Sequence, residues 1–144
     1  MITRRVEVVA VEGSDVAFAH AVATIGALHQ EIGQDFAAAT GFTIAEGMEL
    51  LYSLNDLIFN ENEKSGPFCL DADLLVFRVE GRQAAGRIAI GMSIFAANLL
   101  RNSCFAAVER VDSVDFATLV GATPDEISAF ARQLDAALSP TDGN

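Results

Sequence analysis

The sequence predicts a mainly α-helical, bundle-like single domain with a small two-stranded β element at residues 4–11 and 74–79, α+β being the alternative. Three observations predict it. Apolar residues recur at three- and four-residue steps through much of the chain. Ser, Thr and Asp stand where helices should start, and Gly where they should stop. Finally, thirteen residues from Ile88 to Leu100 carry no charge, in a chain of twenty acids and nine bases. That run is too short for a bilayer, which takes about 20 apolar residues, so it marks a core helix. It lies either inside one subunit or at a seam between two.

Residues 4–11 alternate Val6, Val8 and Val11 with Glu7 and Ala10 before Glu12-Gly13, as a half-buried strand does. Ser14 and Asp15 then offer an N-cap, and a helical stripe of Phe18, Val22, Ile25, His29, Ile32 and Phe36 runs to about Ala39. Gly41 fits the C-cap. Thr43-Ile-Ala-Glu46 forms a capping box, in which each side chain satisfies a backbone N–H of the other residue. The helix it opens should bury Met48, Leu51, Leu54, Leu57 and Ile58. Its wet side is Glu46, Glu49, Ser53, Asp56 and Asn60.

Residues 60–67 read as a loop, and Leu74 to Val79 as a strand, with a helix over 70–79 nearly as compatible. The uncharged run falls in a helix predicted from about Gln83 to Val111. Ala89, Ser93, Ala96 and Ala97 keep one flank of it thin enough for close helix packing, which makes them the candidate interface residues. A short helix over 113–120 stops at Gly121, and Thr123, Pro124 and Glu126 open the last one.

The chain's 144 residues suit one domain. Its formal charge of −11, with Lys64 the sole lysine, disfavours nucleic acid and anionic membranes as partners. Charged residues make up 20%, below the usual level of about 25%, so apolar surface remains for a partner. Cys69 and Cys104 match neither a zinc nor a redox motif and read as reduced thiols. Glu7, Glu12 and Asp15 interrupt any signal-peptide core after Arg4-Arg5. The expected compartment is the cytoplasm.

No motif specifies a reaction. Residues 113–138 resemble a helix-turn-helix in their apolar spacing around Gly121, but the would-be recognition helix opens with Asp125 and Glu126, which would face phosphates. A structural helix corner is preferred. His29 interrupts an apolar stripe and has no acid at helical spacing, so a core or interface histidine is preferred over a general base. Glu46, Glu49 and Asp56 lack the Glu-x-x-His partner of di-metal bundles and read as a solvated acidic face. Arg82 and Arg87 could hold an anion near the predicted helix start, although 81–86 matches no phosphate-loop pattern.

These readings rank the functions. First is a non-enzymatic helical interaction module, expected to be a homodimer, that binds a protein partner, a basic one being one option, through the acidic face of Glu46, Glu49 and Asp56. Small inhibitor, immunity and adaptor proteins have this general character. Second is a small enzyme or ligand-binding protein whose pocket would draw on His29, Tyr52, Asn98 and Arg101. A regulator acting through 113–138 is third. No cofactor or metal is expected.

Overall fold

A computed structural model describes residues 7–59, 68–71, 74–78 and 86–138. Within them the fold is mainly α with a small antiparallel sheet. Strand β1 (Val8–Ser14) leads into α1 (Asp15–Ile32), a single 3-10 turn, then α2 (Phe36–Thr40) and α3 (Ile44–Phe59). Three strands follow, β2 (Phe68–Asp71), β3 (Leu74–Arg78) and β4 (Arg87–Ser93), and then α4 (Ile94–Arg110), α5 (Ser113–Val120) and α6 (Pro124–Leu138).

The strands lie in the order β1-β4-β3-β2. The two expected strands are present over 8–11 and 74–78, residues 4–6 and 79 lying outside the described residues, but they do not pair with each other, because β4 sits between them. It pairs Val8 with Ser93 on one side and Val76 with Met92 on the other. This corrects the single helix expected over 83–111. Its first half is strand, and α4 begins only at Ile94. Residues 83–85, like the loop expected at 60–67, lie outside the described residues. The reason is the burial of β4, whose residues from Ile88 to Ser93 are all enclosed. A segment covered on both faces carries no polar alternation to betray its period.

The strand-to-helix junctions are abrupt. Ser14 ends β1 and caps α1, its hydroxyl accepting from the Ala17 N–H at 3.0 Å. Ser93 does the same between β4 and α4, accepting from the Ala96 N–H at 3.2 Å. Each hydroxyl satisfies an amide that the helix geometry leaves without an internal acceptor.

The core fills the space between the sheet and the helices. Val11, Val76, Ile88, Ile90 and Met92 supply it from the strands. Helix α4 packs against both α1 and α6, and Ala96, Ala97, Ala107 and Cys104 are wholly enclosed. Of the two settings foreseen for the uncharged run, the structure realises the interior of one chain. Ala89, Ser93, Ala96 and Ala97 leave almost no surface to offer a second copy.

Two helices depart from their expected pattern. The helix expected from Ser14 to Ala39 breaks at Gly33, which has a φ of +51°. The buried stripe of α1 continues from Ile25 to Leu28, so His29 is exposed and not in the core. Helix α3 opens with the expected capping box, Thr43 N–H to Glu46 Oε1 at 2.8 Å and Glu46 N–H to Thr43 Oγ1 at 3.1 Å. It buries Leu50 and Ser53 along with Leu54, Leu57 and Ile58, while Met48 and Leu51 are half-buried. Gly47 explains the rotated face. A Cβ there would stand 2.8 Å from Phe36 Cζ and 3.2 Å from Ile25 Cγ2, and Phe36 is itself enclosed. Gly47→Ala is therefore expected to destabilise the fold by about 1–2 kcal/mol, overpacking outweighing alanine's gain in helix propensity of roughly 1 kcal/mol. A urea midpoint equal to or above that of the unaltered protein would show that Phe36 yields freely.

Candidate functional site

The exposed side of α3 gathers the acidic face around an aromatic ring. Glu49, Tyr52 and Asp56 are spaced three and four apart, which aligns them in one stripe along the helix. All three are exposed, Tyr52 at 66%. Glu46, expected to join them, is turned back onto the Thr43 backbone and is half-buried. The face thus consists of two carboxylates with a phenol ring between them. Such a ring offers its electron-rich surface to a cation, and the carboxylates offer it hydrogen-bond acceptors.

The other residues expected to line a pocket hold structural posts or lie apart. Arg101 Nη1 donates to Asp135 Oδ1 at 3.0 Å, tying α4 to α6, and its Nε donates to Asn102 Oδ1 at 3.2 Å. Asn102 Nδ2 in turn donates to the Thr40 carbonyl at 2.9 Å. Asn98 is half-buried on α4, whereas His29 is exposed at the end of α1. Arg87 is exposed at the first position of β4, so the helix start that would have joined it to an anion is not there. Arg82 lies outside the described residues.

A second feature was not foreseen. Where α1 begins beside the α5–α6 turn, an open cleft of about 140 Å³ has an apolar floor of Ala17, Ala122, Ile127 and Phe130. Ser14, Val16, His20 and Glu126 stand around it. Phe130 is held edge-on against Phe18, with ring centroids 5.2 Å apart. His20 packs against Gly121, whose φ of +90° ends α5, and a Cβ at that glycine would lie 3.0 Å from His20 Cδ2. The expected capping box forms here too, Thr123 N–H donating to Glu126 Oε1 at 2.9 Å and Glu126 N–H to Thr123 Oγ1 at 3.2 Å. The bonds that Glu126 accepts from the Thr123 backbone and hydroxyl hold its carboxyl below the ordinary value, and nearby His20 adds a smaller effect in the same direction. Sequence reasoning had no means of joining His20 to Glu126, because their proximity arises only when α6 folds back beside α1.

Other groups are poor candidates for chemistry. Cys104 is enclosed, and burial pushes its thiol up to about 12, the opposite of what activates a nucleophile. Helix α6 buries Ile127, Phe130, Ala131 and Leu134 against its own chain, and its exposed side carries Asp125, Glu126 and Asp135 against one base, Arg132. Among the described residues no group of three His, Cys, Asp or Glu side chains could hold a metal ion. Among them, too, no helix is long and apolar enough to cross a membrane. The chain matches no family model, no curated protein and no solved structure.

Proposed function

We propose that the protein is a non-enzymatic interaction module that binds a basic protein partner through the exposed Glu49–Tyr52–Asp56 stripe of α3. The observation that carries this reading is the 66% exposure of Tyr52 between two exposed acids. Tyrosine is enriched at binding hot spots, and an exposed ring flanked by carboxylates suits a Lys or Arg side chain in both charge and shape. The formal charge of −11 supports the same polarity of partner over a longer range, by steering a basic protein toward the chain. A second copy of the chain fits this face poorly, because a two-fold contact would set like charges against each other. The small-molecule alternative draws little support from the cleft. Its 140 Å³ falls below the roughly 300–1,000 Å³ typical of ligand pockets.

Affinity capture with the unaltered protein, a Glu49→Gln/Asp56→Asn variant and Tyr52→Ala tests the proposal. A partner should be retained at about 50 mM salt and lost at about 500 mM, where charge interactions are screened within a few ångströms. The double variant should lose it even at low salt, and Tyr52→Ala should weaken it about tenfold, the cation–π range. Because Tyr52 is exposed, the stability of Tyr52→Ala should stay within about 0.5 kcal/mol of the original. A partner held equally by the double variant, or recovery indifferent to salt, would sink the reading.

A further inference from the structure

We propose that the cleft between α1 and α6 is a second recognition site, which seats one apolar side chain of a polypeptide carrying a positive charge on the next residue. This goes beyond the α3 face and stands on different residues. The size of the cleft sets the first limit. At about 140 Å³ it suits a single side chain, and its floor of Ala17, Ala122, Ile127 and Phe130 offers that side chain apolar contact. Val16 stands at its mouth 56% exposed, a large apolar residue that an occupant would cover.

Charge sets the second limit. Two helices start at this cleft, and helix starts favour anions when their amides are open. Here three of those amides are already engaged. The Asp15 N–H donates to the Gly86 carbonyl and the Ala17 N–H to Ser14 Oγ, while the Glu126 N–H donates to Thr123 Oγ1. The protein's own carboxylates also answer both helix dipoles, Asp15 on α1 and Asp125 and Glu126 on α6. An incoming carboxylate would therefore meet a like charge in Glu126, the one carboxylate that lines the cleft. A cation beside the apolar group would meet Glu126, with His20 the basic side chain lining the same cleft. The walls are fixed in advance by the Thr123–Glu126 box and the Phe18–Phe130 contact, so seating a side chain requires little reordering.

Capped dipeptides are the probe, titrated into the ¹⁵N-labelled full chain and followed by NMR at the amides of Val16, Ala17, Ala122 and Ile127. Acetyl-Leu-Lys-amide should shift these amides saturably with a Kd of about 1–10 mM, a range fitting one anchor. Acetyl-Leu-Gln-amide should bind about threefold more weakly, a difference of about 0.7 kcal/mol. Acetyl-Leu-Glu-amide and acetyl-Ala-Lys-amide should leave the amides unmoved. Glu126→Gln keeps the capping box, since glutamine serves there as well, and should reduce Leu-Lys binding to the Leu-Gln level. Val16→Ser, at an exposed position, should weaken every Leu probe. Glu49→Gln/Asp56→Asn should change nothing here, which separates this site from the α3 face. The proposal is overturned if Leu-Glu binds as well as Leu-Lys, if Ala-Lys shifts the same amides, or if no dipeptide moves them at about 20 mM.

Discussion

Ala97→Glu is expected to abolish folding of the chain altogether. Ala97 is 0% exposed on α4, at the heart of the helix packing. A glutamate there must either bury an unpaired carboxylate or force α4 from its neighbours. An unpaired buried charge costs at least about 3–5 kcal/mol, and the added volume about 1–3 kcal/mol more. Together these rival the whole stability of a small domain, about 5–15 kcal/mol. Circular dichroism should show no cooperative thermal transition, and the protein should be unfolded or insoluble. Val8→Glu, at an exposed strand position, is the matched control and should fold. A soluble Ala97→Glu protein of native stability and halved mass would place this residue at a subunit seam and refute the assignment to the interior of one chain.

The second large effect concerns pH. Burial raises the Cys104 thiol from 9.0 to about 12, and a weaker opposing contribution comes from the Thr24 hydroxyl, 4.0 Å from the sulfur. In the unfolded chain the thiol ionises near 9.0, while in the folded chain it keeps its proton until about 12. Above the lower value the unfolded state has therefore released a proton that the native state still holds. Stability is fully present below pH 9 and declines as pH rises toward 12. The loss runs at about 1.4 kcal/mol per pH unit and approaches about 4 kcal/mol in all. Urea unfolding of the unaltered protein and of Cys104→Ala, at about pH 8 and about pH 11, isolates this group because every other titration is common to both. The advantage of the cysteine protein should shrink over that interval. A difference in stability that stays constant would mean that the native thiol ionises like a free one.

Local chemistry made much of the fold legible. Ser14, Thr43 and Thr123 cap the helices they were expected to cap, and Gly41 and Gly121 close theirs with positive φ. The capping residues act on amides within three positions, so their signal survives in the chain itself. What escaped depended on partners far away in sequence. Nothing near β4 marks it plainly as a strand, because Ala89 and Gly91 between Ile88, Ile90 and Met92 are apolar too and leave no polar alternation. Only pairing with β1 and β3 decides between strand and helix. His29 was misplaced by one helical position, since Leu28 and His29 both follow Ile25 at plausible spacings and the apolar neighbour takes the interior.

The acidic face was readable because its spacing lies within one helix, although Glu46 left it for the capping box. Tyr52 was singled out for a different site, and its place between Glu49 and Asp56 became significant once their shared exposure was known. The cleft was not readable at all. Its walls come from the first two turns of α1, the α5–α6 turn and the first two turns of α6, and no local pattern ties them together.

The pairing of β1 with β4 has a consequence for the chain during its synthesis. Val8 to Ser14 leave the ribosome well before the residues they pair with, Arg87 to Ser93, which are made roughly 80 positions later. At about 5–20 residues per second this is a wait of several seconds. Throughout it an apolar strand has neither its sheet nor the α6 surface that later packs on it. Glu7, just before that segment, and Glu12, within it, are exposed and then guard it by charge against pairing with a neighbouring nascent chain.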